Sequence, residues 1–229
     1  VSALRSASLR AVLEGDLSWR RVEVKDLRNL ISSDVGERAK ATYKRALIVL
    51  LYAHLEGFVR AALEEYAKSI NDAAVKVGEA KKQLSAACLA ENFKKYRSSE
   101  AGDPTDLSGS RARQVMRDAE LIESILHVRE STIVLDVEKV CSTDSNLTPT
   151  VLRRNLAMLA LDDLVFHRFV NTLDGLLKRR NAIAHGENVK VREGDDLSGL
   201  EREVFDLCET LMRAIYEAVR DESYRRISS

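Results

Sequence analysis

The sequence predicts an all-α protein, a helical bundle built on long core helices. Two prolines and ten glycines in 229 residues leave few interruptions. Aromatic residues are 5% of the chain, so the apolar 45% comes mainly from Leu, Ala and Val, which fill helix–helix contacts better than a pleated surface. Apolar residues recur three and four apart through most of the chain, and alternation is confined to one run.

The length suits one large or two small domains, and 31% charged residues suit a soluble surface. Lys+Arg and Asp+Glu both number 36, so no global basic excess advertises nucleic acid; any RNA contact rests on a local patch. Cys88, Cys141 and Cys208 are odd in number, far apart and without a C-x-x-C pair. That pattern argues against a disulfide framework and a zinc site, and for a reducing, cytoplasmic setting. The opening VSALRSASLR lacks the apolar core of a secretory signal. The longest aliphatic run, Ala46–Tyr52, is far below the ~20 residues that span a bilayer, so no membrane partner is expected.

In chain order, Leu4, Leu9, Val12, Leu13 and Leu17, then Leu27, Leu30 and Ile31, predict one or two short amphipathic helices over 3–31. These form an N-terminal helical arm (1–33), with Trp19 as its anchor on the body. Ser33-Asp34 offers an N-cap, with Glu37 completing a capping box. A long helix follows over Glu37–Ile70; its centre, Ala46–Val59, is apolar nearly all round and reads as the buried core helix. Glu56 and Arg60 stand at i,i+4 in the favourable order for an ion pair, and His54 reads as a hydrogen-bonded or half-buried histidine.

Residues 72–97 read as a further, weaker helix, whose clusters Lys81-Lys82 and Lys94-Lys95-Tyr96-Arg97 suit a solvated face. Residues 98–110 are a loop by composition, and 111–127 return to helix. In 131–140, Ile133, Leu135 and Val137 alternate with other residues, predicting a hairpin or extended segment, since one strand makes no sheet. The stretch 98–147 is thus an insertion in a helical domain over 34–222, with 223–229 as a tail. Thr148-Pro149 is an N-cap with Pro at N1, opening a short helix that carries Leu152, Leu156 and Leu159. Asp162-Asp163 cap a helix over Leu164–Ala184, closed by Gly186 as a left-handed residue. Asp196 or Ser198, with Glu201, opens the last helix, which runs to about Val219 and buries Leu200, Val204, Leu207, Leu211 and Ile215.

Chemistry concentrates at the end of the 164–184 helix. Phe166, Leu173 and Arg180 are spaced by seven, as are Phe169, Leu176 and Ile183. An unbroken helix therefore places Arg180 on the apolar stripe, where a guanidinium is costly unless paired or functional. Basic residues at a helix end also favour its dipole, and Gly after it is ordinary capping. The stripe position is what sets Arg180 apart.

Arg180-Asn181-Ala182-Ile183-Ala184-His185 resembles the R-x(4–6)-H signature of the HEPN superfamily, including the polar residue after the Arg. The wider string RRNAIAHGE looks like bacterial HEPN nucleases of toxin–antitoxin and restriction loci. Two further stretches are similar to that branch: Leu47–Val59, an aliphatic helix ending in YAxLEGF from Tyr52, and Asn146-Leu147-Thr148-Pro149 followed by a short helix to Leu161-Asp162. The resemblance spans roughly 36–220. It implies a HEPN-like bundle, a homodimer with paired motifs in one composite site, and catalysis by Arg180, Asn181 and His185 without a cofactor. It also implies a toxin or phage-defence role and a partner such as an antitoxin or a nucleotidyltransferase. Because the core helix lies beside the motif helix in that family, Glu56 and His54 are supporting candidates.

The residue types suit RNA. No carboxylates group near the motif as two-metal phosphodiester cleavage would need. The RNA 2′-OH can attack its own phosphorus if a histidine moves protons and an arginine forks onto the phosphate oxygens. Asn181 orients the histidine or bonds phosphate. Lys178 and Arg179 are backbone contacts or solvated charges, and Glu187 is a partner for Arg180 or a neighbour. His127 and His167 read as structural. One motif supplies one histidine, and a two-fold dimer supplies the second. The competing readings are a non-catalytic HEPN module that binds nucleotide or a partner protein, and a helical adaptor working through 98–147. The adaptor leaves Arg180 unexplained.

Overall fold

The computed structural model describes residues 2–99, 110–191 and 195–226. Helix α1 (Ser2–Ser32) is one continuous element where one or two shorter helices were expected. Its buried Leu9, Leu13, Leu17 and Val24 lie against α2 (Glu37–Asp72) and α9 (Leu197–Arg220), two long apolar surfaces that support helix past Gly15. These leucines anchor α1. Trp19 does less: it is 46% exposed, its indole N–H bonds Asp16 Oδ1 at 3.0 Å, and its ring meets His54 of α2 edge-on. The Ser33-Asp34 capping box is also absent. Ser33 Oγ donates to Leu30 O at 2.6 Å, closing α1, and Gly36 is the N-cap of α2.

Helix α2 is the centre of the molecule. It is long and apolar enough to cross a membrane by length and composition, and here its buried residues, Leu47 through Ile70, pack against α1, α8 (Val170–Ala184) and α9. Arg60 pairs with Glu64 at 2.8 Å rather than with Glu56.

Beyond Asp72 the expected single helix is broken into a 3-10 turn (Val77–Glu79), α3 (Lys82–Cys88) and α4 (Ala90–Ser99). The cause is a competing backbone partner. Val77 N–H donates to Ser131 O at 2.9 Å and Ile133 N–H to Val75 O at 2.8 Å, so 75–77 lies along 131–133. This contact is one isolated antiparallel bridge, and no strand forms among the described residues. The alternation is still real, with Ile133 and Leu135 buried and Val134 74% exposed. Val137 instead opens a one-turn helix, α6 (Val137–Val140), capped by Asp136. Of the expected loop 98–110, positions 100–109 lie outside the described residues; Ser98 and Ser99 end α4, and Ser110 opens α5 (Ser110–Arg129).

Thr148 Oγ1 accepts the Val151 N–H at 3.1 Å and caps α7 (Pro149–Met158), which buries Leu152 and Leu156, with Leu159 just beyond it. The motif helix is shorter than expected. Leu164–Phe169 is 3-10, and α8 starts at Val170. Phe166 and Phe169 are both buried, and a three-residue spacing brings two side chains to one side in a 3-10 turn but not fully in an α-helix. Of the two anticipated capping residues, Asp162 Oδ1 accepts the Leu164 N–H at 3.0 Å, while the Asp163 carboxylate goes to Arg153 at 2.8 Å. Helix α9 is capped by Asp196, whose carboxylate accepts the Gly199 N–H at 2.6 Å, and it buries Val204, Leu207, Leu211 and Ile215.

Gly186 ends α8 with φ +80°; its N–H donates to Ile183 O at 3.1 Å and the Glu187 N–H to Ala182 O at 2.9 Å. No atom lies within 4 Å of a Cβ built there, so Gly186→Ala costs backbone strain alone. The expected loss is about 1 kcal/mol in urea unfolding. An unchanged midpoint would show that the helix end rearranges freely.

Candidate active site

Three elements converge on Arg180. Helix α8 supplies Arg180 and Asn181 in its last turn. Helix α2 supplies Tyr52 and Glu56, four residues apart and therefore on one face. The third wall is the turn before α7. Asp144 and Ser145 both have positive φ there, 50° and 70°, a strained backbone for two non-glycine residues. The turn is pinned from α7: Arg154 Nη2 donates to Ser142 O at 2.7 Å, the buried Asn155 Nδ2 donates to the same carbonyl at 2.9 Å, and Arg154 also pairs with Asp144. Its product is the placement of Asn146 and the Leu147 amide.

The Arg180 guanidinium lies 4.1 Å from the centroid of the Tyr52 ring, in cation–π contact. Nη1 donates to Asn181 Oδ1 at 2.9 Å and Nη2 to Asn146 Oδ1 at 2.8 Å. Glu56 Oε2 stands 3.7 Å from Nη2, and these two side chains are 22% and 21% exposed. The Leu147 N–H is shared by Tyr52 Oη at 2.7 Å and Glu56 Oε1 at 3.1 Å. Burial, then the Glu56 charge, pushes the Tyr52 phenol up, opposed by the Leu147 hydrogen bond and Arg180, so Tyr52 stays a neutral platform. Arg180 thus faces inward as its spacing implied. What meets it is Tyr52, Glu56 and two asparagines of the same chain, so its position does not by itself require a second subunit.

The asparagines carry a further consequence. An arginine only donates, so both amide oxygens must face it, and both NH₂ groups must turn away. Neither Asn146 Nδ2 nor Asn181 Nδ2 has a protein partner among the described residues. Two amide donors beside a guanidinium are what an anion needs.

A family model described as HEPN_MAE_28990-like HEPN matches residues 9–224. The chain belongs to this HEPN family. No curated protein and no solved structure matches it. The match begins within α1 and ends after α9, so it takes in every helix of the bundle.

Of the HEPN signature, Arg180 and Asn181 are in contact, and His185 lies four residues beyond Asn181 as the exposed C-cap of α8. No side-chain partner of His185 occurs among the described residues. The neighbouring charges are turned elsewhere: Lys178 pairs with Asp174 at 2.7 Å and Arg179 with Asp195 at 3.3 Å. Glu187 is exposed and does not pair with Arg180; Glu56 takes that place, because the last turn of α8 packs on α2 and Glu187 lies beyond it.

His54 is not part of this HEPN site. Two residues from Glu56 on a helix is roughly 200° of rotation, which directs His54 to α1. There it is buried, with Nε2 3.0 Å from Glu23 Oε2, Nδ1 3.5 Å from Arg20 Nη1, and its ring edge-on to Trp19. Burial, then the Arg20 charge, holds its pKa below the usual histidine value, against the opposing Glu23 and Asp16. A folded-state pKa below the unfolded one means that the unfolded chain binds the proton first. Stability should therefore fall as pH drops below about 6.5, above the carboxylate range, and His54→Gln should flatten that slope. Parallel pH–stability curves for the two proteins would remove His54 as the cause.

Tyr52 and Asn146 stand in the two other family-like stretches, but neither is assigned to the site by sequence reading. Tyr52 could have been found from its i,i+4 relation to Glu56. Asn146 depends on a turn whose strain has no local signature. Among the described residues no three of His, Cys, Asp and Glu gather as a metal group.

Proposed function

We propose that this HEPN domain is an endoribonuclease that cleaves RNA through attack of the 2′-OH on the adjacent phosphorus, with no metal ion taking part. HEPN domains often carry ribonuclease activity. The observation that carries the reading is a pair of amide donors, unpaired among the described residues, around an arginine held in place by Tyr52 and Asn146, with the exposed imidazole of His185 following on the same helix end. Arg180 and the two amides hold the non-bridging phosphate oxygens and stabilise the phosphorane as charge builds. A histidine takes the 2′-OH proton while the 2′-O–P bond forms. A second proton reaches O5′ as the P–O5′ bond breaks, leaving a 2′,3′-cyclic phosphate and a 5′-OH end. One motif supplies one histidine, so two copies in a symmetric dimer would provide the acid and the base. A toxin or phage-defence role in the cytoplasm, held in check by an antitoxin or nucleotidyltransferase, fits such an activity.

The test is incubation of the purified protein with mixed-sequence RNA in EDTA beside His185→Ala, followed by end-group analysis. Cleavage by the parent alone, with cyclic-phosphate ends, is expected. One observation favours a second reading, a non-catalytic module that binds nucleotide or a partner protein: Glu56 already stands on Arg180. Nucleotide or partner binding without cleavage, unchanged by His185→Ala, would decide for that module.

A further inference from the structure

We propose that Glu56 is a displaceable counter-ion: it neutralises Arg180 in the free protein, and a phosphodiester takes its place on the guanidinium. The inference rests on the reading of Arg180 as a phosphate-binding group, and it assigns Glu56 to positioning rather than to chemistry.

The two oxygens of Glu56 do different work. Oε1 accepts the Leu147 N–H at 3.1 Å, within good hydrogen-bond range, and ties α2 to the strained turn. Oε2 stands 3.7 Å from Arg180 Nη2, too far for a hydrogen bond and close enough for charge attraction. Nη2 gives its good hydrogen bond to Asn146 instead, at 2.8 Å. The guanidinium is therefore fixed in place by neutral groups, the Tyr52 ring and two amide oxygens, while its charge is balanced by a carboxylate that is not bonded to it. An arriving phosphate can replace that balance without dismantling the cradle. The Leu147 N–H would keep Tyr52 Oη as its acceptor, at 2.7 Å, even if Glu56 swung away. Partial exposure of both charged side chains gives the anion access. The arrangement discriminates as well as binds: an anion must outcompete Glu56, which disfavours weak single contacts and favours a polyanion held at several points.

The experiment measures binding of a short all-deoxy oligonucleotide, which offers phosphodiesters and no 2′-OH. Glu56→Gln keeps an oxygen for the Leu147 N–H and removes the charge. It should tighten binding about tenfold, the scale of one charge removed beside an anion site. In an Arg180→Ala background the same change should have no effect, because the competition is for Arg180. Glu56→Asp, which keeps the charge but withdraws it by one methylene, should fall between parent and Gln. Urea unfolding of each variant separates binding changes from loss of fold. If Glu56 is only structural, Gln and Asp both bind more weakly and both unfold earlier, and the proposal is overturned. Equal gains with and without Arg180 overturn it too, since they would reflect net charge alone. As the probe is not cleaved by 2′-OH attack, an inactive protein that shows the coupling would sink the ribonuclease reading and leave this one standing.

Discussion

His185→Ala should lower RNA cleavage by about 10²–10⁴-fold, the usual contribution of a general acid or base, and leave the unfolding midpoint where it is. The second half of this expectation comes from position. His185 is an exposed C-cap whose side chain has no partner among the described residues, and the carbonyls at the end of α8 are met by the Gly186 and Glu187 amides. Removing an imidazole there deletes no packing. Full activity in the variant would remove His185 from the mechanism and with it the 2′-OH route as written. A large loss of stability would show that the helix end depends on the ring, and the kinetic loss could then not be assigned to chemistry.

Arg180→Lys should be nearly as damaging as Arg180→Ala, about 10²–10³-fold in kcat, although it keeps the charge. The guanidinium occupies its place through two separate nitrogens, one to Asn181 and one to Asn146, and through a flat face on Tyr52. An ammonium is compact, carries no face to stack and cannot reach both oxygens in that geometry while also holding a phosphate. Lysine would also be free to close on Glu56 as a simple ion pair. Retention of most activity by Arg180→Lys would mean that charge alone matters and that the cradle is incidental.

The parts of the fold that were legible in the sequence are those set by nearest neighbours. Thr148 before Pro149, Gly186 after α8 and the stripe from Val204 to Ile215 each state their structure within a few residues. The misreadings share a cause. Arg60 had a suitable acid on either side, and Glu56 went instead to a partner 124 positions away, Arg180, which no local rule could supply. Residues 75–77 have helix-compatible neighbours, and lose the helix to a backbone contact with 131–133. Leu164–Phe169 reads as α-helix by pattern, and the two buried phenylalanines favour a tighter winding. At the site, Arg180 was visible because a charge on an apolar stripe breaks the pattern. Tyr52 was hidden because an aromatic on a core helix fits the pattern so well, and Asn146 because its role is made by the turn that carries it.

The packing of α1 also sets an order of events. Its buried leucines face α2, made soon after it, and α9, made long after; Ser2 Oγ donates to the carbonyls of Val219 and Arg220 at 2.8 and 3.0 Å. On the ribosome α1 must therefore wait for α9, with part of its apolar stripe uncovered, and contacts so distant along the chain close late. The motif on α8 emerges before that closure. A nascent chain thus holds the chemistry-bearing residues, together with α2 and the turn before α7 that align them, before α9 covers α1 and α2.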